Sequence, residues 1–477
     1  MSKILFKNAY VVSCNDELGD LDQADTLVSG SRIVDVGRGL DSADAEVIDA
    51  GGMLLMPGMV DTHAHLWETP FKGRASDAWG MEYFTNIHPL ASHFAPEDIY
   101  AAVYAGAIES LSAGVTAIFD YDSCILSPEH ADAAIAALKA AGIRATFGYD
   151  LRGKDPGGKA VLRPSEGRFD DIKRLRSAIP NGTEDLLRLA VCLSDVSRDT
   201  IERATREIRF SRDIDCPMSW HCNKGGEITL LSKNGLLSSD MLPAHGNYTT
   251  DEDLELLGTI GGFLTTQPEA ETYAGRRSMS MVGRGHRRGV GIALGIDVPV
   301  IMNFGLLPQM RLLYFLQRYM DGICERHEGQ FPIARRPGVP TLTPRDLLRF
   351  GTTNGTAAIW IGDAVGQIAP GFQADLVLLD TRAFGRAEGD PAGHIVLNSS
   401  LGDVHTVMVA GEFRKRDGHM VGVDMSRMLT ERQAARDRVY RSAGENPGKL
   451  HKTYWAGETT ADATSIKGPA PKAIGTN

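Results

Sequence analysis

The sequence predicts a (β/α)8 barrel with a small β-sandwich built from both ends of the chain. Between residues 54 and 297, apolar strand-like runs alternate with helical stretches, and eight such strands can be counted. That alternation demands parallel pairing with helical crossovers, and eight units close into a barrel. Short strands of similar texture occur at both ends of the chain, where they can pair with one another. Finally, the polar residues that interrupt the central strands sit at their C-terminal ends, where a barrel gathers its active site. An open doubly wound sheet is the competing architecture; it is disfavoured because no G-x-G-x-x-G turn follows the first strand.

The elements follow in order. The first 57 residues read as "KILFKNAYVVS", "DTLVSGSRIVDVG" and "AEVIDAGGMLLMPG", with Gly, Asp and Ser at the strand ends. The first barrel strand lies in "MLLMPGMVDTHAHL", and a helix follows in "PEDIYAAVYAGAIESLSAG", where Gly114 suits the stop. Strand "VTAIFDYD" leads to helix "SPEHADAAIAALKAAG", with Ser127 as N-cap, Pro128 in the first turn and Gly142 as C-cap. Further strands are "IRATFGYD", "LLRLAVCLSD", "CPMSWHCN", "MLPAHGNY", "GFLTTQP" and "VGIALGID". The sandwich resumes in "GQIAPGFQADLVLLD" and "VHTVMVAGEFRKRDGHMVG". The expected division is 1–57 and 365–425 for the sandwich, 58–364 for the catalytic barrel, and 426–477 for a helical segment with an extended tail. The tail from Ala443 is rich in Gly, Pro, Thr and Ala, and Tyr454 and Trp455 are its candidate anchors on a neighbouring subunit.

Composition narrows the function. A hydrophobic share of 43% and a charged share of 23% are ordinary for a globular protein of 477 residues. No apolar run reaches the roughly 18 residues of a membrane span, and the N-terminus meets acidic residues too early for a signal-peptide core. A formal charge of −11 argues against a nucleic-acid partner. Six scattered cysteines without a C-x-x-C pair read as reduced thiols of a cytoplasmic protein. The expected partners are a small-molecule substrate and further copies of the chain, as a homodimer or higher homo-oligomer.

The chemistry lies in "VDTHAHLWET" and what accompanies it. His63 and His65 close the first strand and, one residue apart, share a face. His221 closes strand five, His245 strand six and Asp297 strand eight. In a barrel these ends converge, and three imidazoles with a carboxylate suit a divalent ion such as zinc, with water at an open position. Any one of these histidines alone reads better as a satisfied core residue; four histidines and an aspartate at matching strand ends read as a metal site.

On these pieces the chain resembles the amidohydrolase superfamily, in its cytosine-deaminase-like and triazine-hydrolase-like branch. The matching stretches are "PGMVDTHAHLWET", "LSAGVTAIFDYD", the isolated His221 and His245, "GIALGID", "LLPQMR", "TTNGTAAIWIGDAVGQIAPGFQADLVLLD" and "VMVAGEFRKRDGHMVGVD". The resemblance implies metal ligands at His63, His65, His221 and Asp297, with His245 at the metal-bound water or the substrate oxygen. Binuclear relatives carry a lysine at the end of strand four; "LLRLAVCLSDVS" has none, which implies one divalent ion. Zinc is expected first, with iron, manganese and cobalt as the other candidates.

The implied chemistry is hydrolysis of a non-peptide C–N bond of amide, urea, carbamate or lactam type, with Asp297 as general base and His245 steadying charge. One departure stands out. Deaminases of this branch carry a glutamate three residues after the strand-five histidine; here that residue is Lys224. Lys224 therefore enters as a candidate catalytic residue with a solvated loop lysine as its alternative, and deamination of an aminated heterocycle becomes the second reading. A non-catalytic binding protein on the same scaffold is the third. Trp67, Glu68, Glu269 and Asn303 are candidate substrate contacts, and Glu271 is a reserve for proton transfer.

Overall fold

The computed structural model describes residues 3–447 apart from residues 42, 77, 79–80, 153–164, 276–280, 325–339 and 385–388. Five strands come first: β1 (Lys3–Val11), β2 (Leu21–Ser29), β3 (Arg32–Gly37), β4 (Ala45–Asp49) and β5 (Leu54–Pro57). Eight follow with helices between them: β6 (Met59–Ala64), β7 (Val115–Asp122), β8 (Arg144–Asp150), β9 (Leu187–Cys192), β10 (Met218–Cys222), β11 (Met241–His245), β12 (Phe263–Thr266) and β13 (Gly291–Leu294). The last are β14 (Leu376–Leu379), β15 (Val404–Val409), β16 (Glu412–Arg416) and β17 (His419–Met420).

Strands β6 to β13 form one parallel sheet in sequence order. It closes just beyond β13, where Asp297 bridges Ala64 in parallel. The Asp297 N–H donates to His63 O, and the His65 N–H donates to Asp297 O, each at 2.9 Å. The residues expected to bind metal therefore also close the barrel. Inside it, Val60, Phe119, Tyr121, Cys192 and Leu242 pack together, and Ile359 and Ile361 join them. Arg188 donates to the carbonyls of Ile359 and Trp360 at 3.2 and 2.5 Å, which fixes that segment beneath β9.

The first barrel strand begins at Met59, because Leu54–Pro57 leaves the barrel and pairs antiparallel with β14. Gly58 lets the chain cross between sheets: a Cβ there would lie 1.9 Å from Thr116 Oγ1.

Strands from both chain ends share one network in the order β17-β16-β15-β14-β5-β1-β2-β3, with β4 paired on β1. Period-two alternation divides β14 between two cores. Leu376 and Leu378 join Phe6, Val11, Leu55 and Met408 in the small core, whereas Val377 and Leu379 face the large core around the barrel. A buried ion pair ties the two parts together. Arg144, at the start of β8, grips both oxygens of Asp375 at 2.8 and 3.0 Å and donates to Gln373 Oε1 at 3.0 Å.

The helices begin and end as the sequence predicts. Helix Pro96–Ser112 is followed by Gly114 at φ 86°, and helix Pro128–Ala141 ends on Gly142 at φ 68°. Ser127 differs in detail: its hydroxyl pairs with His130 Nδ1 at 2.9 Å instead of capping the backbone. A C-terminal helix, Met425–Ser442, packs against Pro96–Ser112. Tyr454 and Trp455, the expected tail anchors, lie outside the described residues. Among the described residues no helix is long and apolar enough to cross a membrane. Cys14, Cys124, Cys192, Cys216 and Cys222 are buried free thiols.

Candidate metal centre

The C-terminal strand ends deliver all five predicted side chains to one place. His63 stands near the end of β6 and His65 just past it, His221 lies in β10, His245 ends β11, and Asp297 follows β13. One ligand atom from each of His63, His221, His245 and Asp297 lies within 4.8 Å of the others. His65 belongs to the same cluster: its Nε2 is 3.4 Å from Asp297 Oδ1 and 3.4 Å from His221 Nε2. His63 Nε2 is likewise 3.4 Å from Asp297 Oδ1. Two of these residues, His245 at φ 70° and Asp297 at φ 68°, hold a left-handed backbone. For a side chain with a Cβ this costs about 1–3 kcal/mol, a strain that concentrates at functional sites.

The electrostatics suit a cation. Burial pushes His63 down to about 3, so its ring is neutral, and neither ring nitrogen has a hydrogen-bond partner. Burial alone would raise Asp297, but the imidazoles of His245, His63 and His65 outweigh it and hold the carboxyl well below its usual range. Neutral His63 and His221 rings beside an ionised Asp297 are the protonation states that metal ligation requires. Buried nitrogens without partners are otherwise costly, and a nitrogen-and-oxygen donor set accommodates zinc, iron, manganese or cobalt.

Outer contacts aim the rings. His65 Nδ1–H donates to Tyr121 O at 2.7 Å, which turns the Nε2 lone pair inward. His245 Nδ1 lies 3.4 Å from Oε1 of Glu271. Glu271 is fully buried and accepts from Asn247 Nδ2, Thr266 Oγ1 and the Gln267 N–H, each at 2.9 Å. Asp61 accepts from the N–H of His63 at 3.1 Å and of Ile296 at 3.3 Å, and burial pushes its carboxyl up to about 8. His221 differs, since its Nδ1 receives a hydrogen bond from Arg152 Nη2 at 2.8 Å.

A cavity of 290 Å³ opens onto the cluster. Tyr83, Phe84, Tyr273, Val298 and Ile301 supply aromatic and apolar surface, and Glu68, Ser123, Arg152 and Asn223 supply polar groups. Glu68 is buried and accepts from the Tyr83 hydroxyl.

The other sequence candidates fall elsewhere. Trp67 turns into the core, where it packs on Phe71 and Phe94 and donates through Nε1 to Ser123 Oγ at 3.1 Å. Glu269 is held by Gln309, whose Nε2 donates to it at 2.8 Å. Asn303 is an exposed turn residue whose Oδ1 accepts from the Gly305 N–H at 2.8 Å. None of these three lines the cavity. Lys224 does not line it either: its side chain is 63% exposed and lies 4.0 Å from Asp195. The loop turns outward because Glu227, beneath it, accepts from the Lys224 N–H at 2.8 Å and from Trp220 Nε1 at 2.9 Å.

Farther from the cavity, Arg284 and Arg288 are both matched by Asp251. Sequence reasoning missed Arg152 and Tyr83. Arg152 had a usable signal, standing two residues beyond the end of β8; Tyr83, on the short helix Met81–Ile87, had none.

A closed parallel barrel carrying histidines and an aspartate at its strand ends defines a class, the metal-dependent barrel hydrolases. The chain belongs to the amidohydrolase family, whose model matches residues 54–414, and it is a hydrolase acting on non-peptide carbon–nitrogen bonds. It is similar to a 5'-deoxyadenosine deaminase of Methanosarcina barkeri, 25% identical over 92% of this chain and 99% of the relative. A 5-methylthioadenosine/S-adenosylhomocysteine deaminase of Pyrococcus abyssi is 26% identical over 86% of this chain and 93% of its own length. Among solved structures, a zinc-bound adenosine deaminase from Xanthomonas campestris superposes with a TM-score of 0.78 at 20% identity, covering 92% and 98% of the two chains. A variant of the atrazine chlorohydrolase of Arthrobacter aurescens, complexed with zinc and atraton, gives 0.79 at 20% identity, covering 91% and 100%.

Proposed function

We propose that this protein uses one divalent ion, zinc first among the candidates, to hydrolyse an amide, urea, carbamate or lactam C–N bond in a small, flat, mostly apolar molecule. The observation that carries this reading is the convergence of His63, His65, His221, His245 and Asp297 at the mouth of a partly aromatic cavity. Zinc is favoured by the imidazole and carboxylate donors and by its presence in the Xanthomonas and Arthrobacter neighbours. His63, His65, His221 and Asp297 would hold it. A divalent ion lowers the pKa of a water from 15.7 to about 7.

The chain's own residues supply the remaining steps. Asp297, ionised among imidazoles, accepts the proton of the attacking water and returns it to the departing nitrogen as the C–N bond breaks. His245, braced by Glu271, steadies the oxygen that gains charge as the sp² carbon becomes tetrahedral. Tyr83, Phe84 and Tyr273 offer faces on which a flat substrate can stack.

Deamination of an aminated heterocycle is the second reading, favoured by deaminase relatives that align along most of the chain. Position 224 weighs against it, since no carboxylate stands there; Glu68 on the cavity wall is the carboxylate such a reaction would use. Two substrate panels separate the readings: ureas, carbamates, amides and lactams in one, aminopurines, aminopyrimidines and aminotriazines in the other. Turnover confined to the second panel, with ammonia release, replaces the first reading by the second. A protein that binds no metal and turns over neither panel removes both. The same reading places the enzyme in the cytoplasm as a homodimer or larger homo-oligomer. Reduced cysteines support that compartment, and the exposed Phe315 and Tyr319 are a candidate contact; cell fractionation and sedimentation test these points.

A further inference from the structure

Ligand histidines are normally backed by a hydrogen-bond acceptor, which holds the proton on the outer nitrogen and frees the inner one for the metal. His65 follows this rule with Tyr121 O, and His245 has a carboxylate oxygen of Glu271 behind it. His221 breaks it. Behind its Nδ1 stands a donor, Arg152 Nη2, at 2.8 Å. A neutral imidazole has a single lone-pair nitrogen. When the arginine N–H uses that lone pair at Nδ1, the ring proton sits on Nε2, the nitrogen that faces His65 Nε2 at 3.4 Å. The contacts then run in one direction, from Arg152 to His221, from His221 to His65, and from His65 to Tyr121 O.

We propose that Arg152 is a positioning residue that competes with the metal ion for His221 and so sets the affinity of the site. This rests on the metal-hydrolase reading above. A cation can take His221 through Nε2 only when the Arg152–Nδ1 hydrogen bond opens and the ring proton moves to Nδ1. Removing the guanidinium also removes a positive charge from the neighbourhood of a dication. The released arginine is not lost to solvent. Asp150, buried at the end of β8, already accepts from its Nε and lies within ion-pair distance of its Nη2, so the side chain can fall back on that carboxylate. Arg152 also lines the cavity, which puts the competing group where substrate enters. A second-shell contact of this kind shifts metal affinity by about 10- to 100-fold, and because this one opposes binding, its loss tightens the site.

The test is a zinc titration of the full-length chain against a chromogenic chelator, comparing the parent with R152M and R152Q. Zinc Kd is expected to fall about 10- to 100-fold in R152M and by less in R152Q, whose neutral amide still donates. An arginine with only a structural role would leave Kd unchanged or raise it when removed, and either result overturns the proposal. Histidine-selective 15N spectra of the chelator-treated parent give a second readout that needs no variant to fold. They are expected to place the His221 proton on Nε2 and to show it on Nδ1 after zinc is added. A proton on Nδ1 before zinc overturns the proposal and leaves the hydrolase reading standing. A parent chain that binds no zinc overturns both.

Discussion

Replacing Gly295 by alanine perturbs the candidate site without altering any of its histidine or aspartate side chains. Gly295 lies between β13 and Asp297, against the strand that carries the two histidines. A Cβ there would stand 2.6 Å from His63 O, 2.8 Å from His63 N and 3.1 Å from Asp61 Oδ1. An ordinary carbon contact needs 3.4 Å or more, so β6 must retreat by about 0.6–0.8 Å. Retreat is resisted because His63 O accepts from the Asp297 N–H in the hydrogen bonds that close the barrel. Overpacking of this kind costs about 1–3 kcal/mol, and the displacement exceeds the roughly 0.2 Å latitude of metal–ligand distances. Denaturant unfolding of Gly295→Ala should show that loss, and metal analysis should show reduced zinc retention after dialysis. Gly167→Ala is the control: nothing lies within 4 Å of its Cβ, and on an exposed helical position it should gain about 0.5–1 kcal/mol. A Gly295→Ala protein with unfolding within 0.5 kcal/mol of the parent and full zinc retention would refute the steric reasoning.

Asp297→Asn should lower turnover by orders of magnitude while the unfolding midpoint is kept; near-native turnover removes Asp297 as the base. Glu271→Gln weakens the group behind His245 and should cut kcat by about 10- to 100-fold with little change in KM, as read from initial rates. Lys224→Met should leave turnover within about two-fold of the parent, because the side chain is 63% exposed; a large loss would return Lys224 to the mechanism. Glu227 carries a pH signature, since burial pushes its carboxyl up to about 7 from the ordinary 4.5. A carboxyl raised on folding contributes stability that is fully present below 4.5 and lost as pH rises through 7. The parent should therefore lose up to about 3 kcal/mol relative to Glu227→Gln between pH 4.5 and 8, measured by denaturant midpoints, and parallel curves would contradict this.

The barrel and its five polar strand ends were legible in the sequence for a physical reason. Strand alternation and the rule that barrel chemistry collects at C-terminal ends fix position from spacing alone, as at His63, His65, His221, His245 and Asp297. Where the apolar run around Leu54 changes sheet is less readable, because such a run does not say which sheet will pair with it, and β14, far along the chain, decides that. Side chains beyond strand ends were the least readable. Trp67 and Glu68 are neighbours, yet one packs against Phe94 and the other reaches the cavity, because a short 3-10 helix from Leu66 to Phe71 turns them apart. The Arg152–His221 contact joins the loop after β8 to strand β10, with no sequence relation between them, so only the folded chain reveals it.

The pairing of β5 with β14 also bears on how the protein is made. Leu54–Pro57 finds its partner roughly 320 residues later in the chain, with the whole barrel between them. At synthesis rates of about 5–20 residues per second, the edge of β5 emerges from the ribosome and waits on the order of half a minute for β14. During that time β1, β2, β3 and β4 can pair among themselves, but β5 presents an open, apolar strand edge. Chaperone demand and aggregation during expression should therefore centre on the first sixty residues, the segment farthest in time from its completed fold.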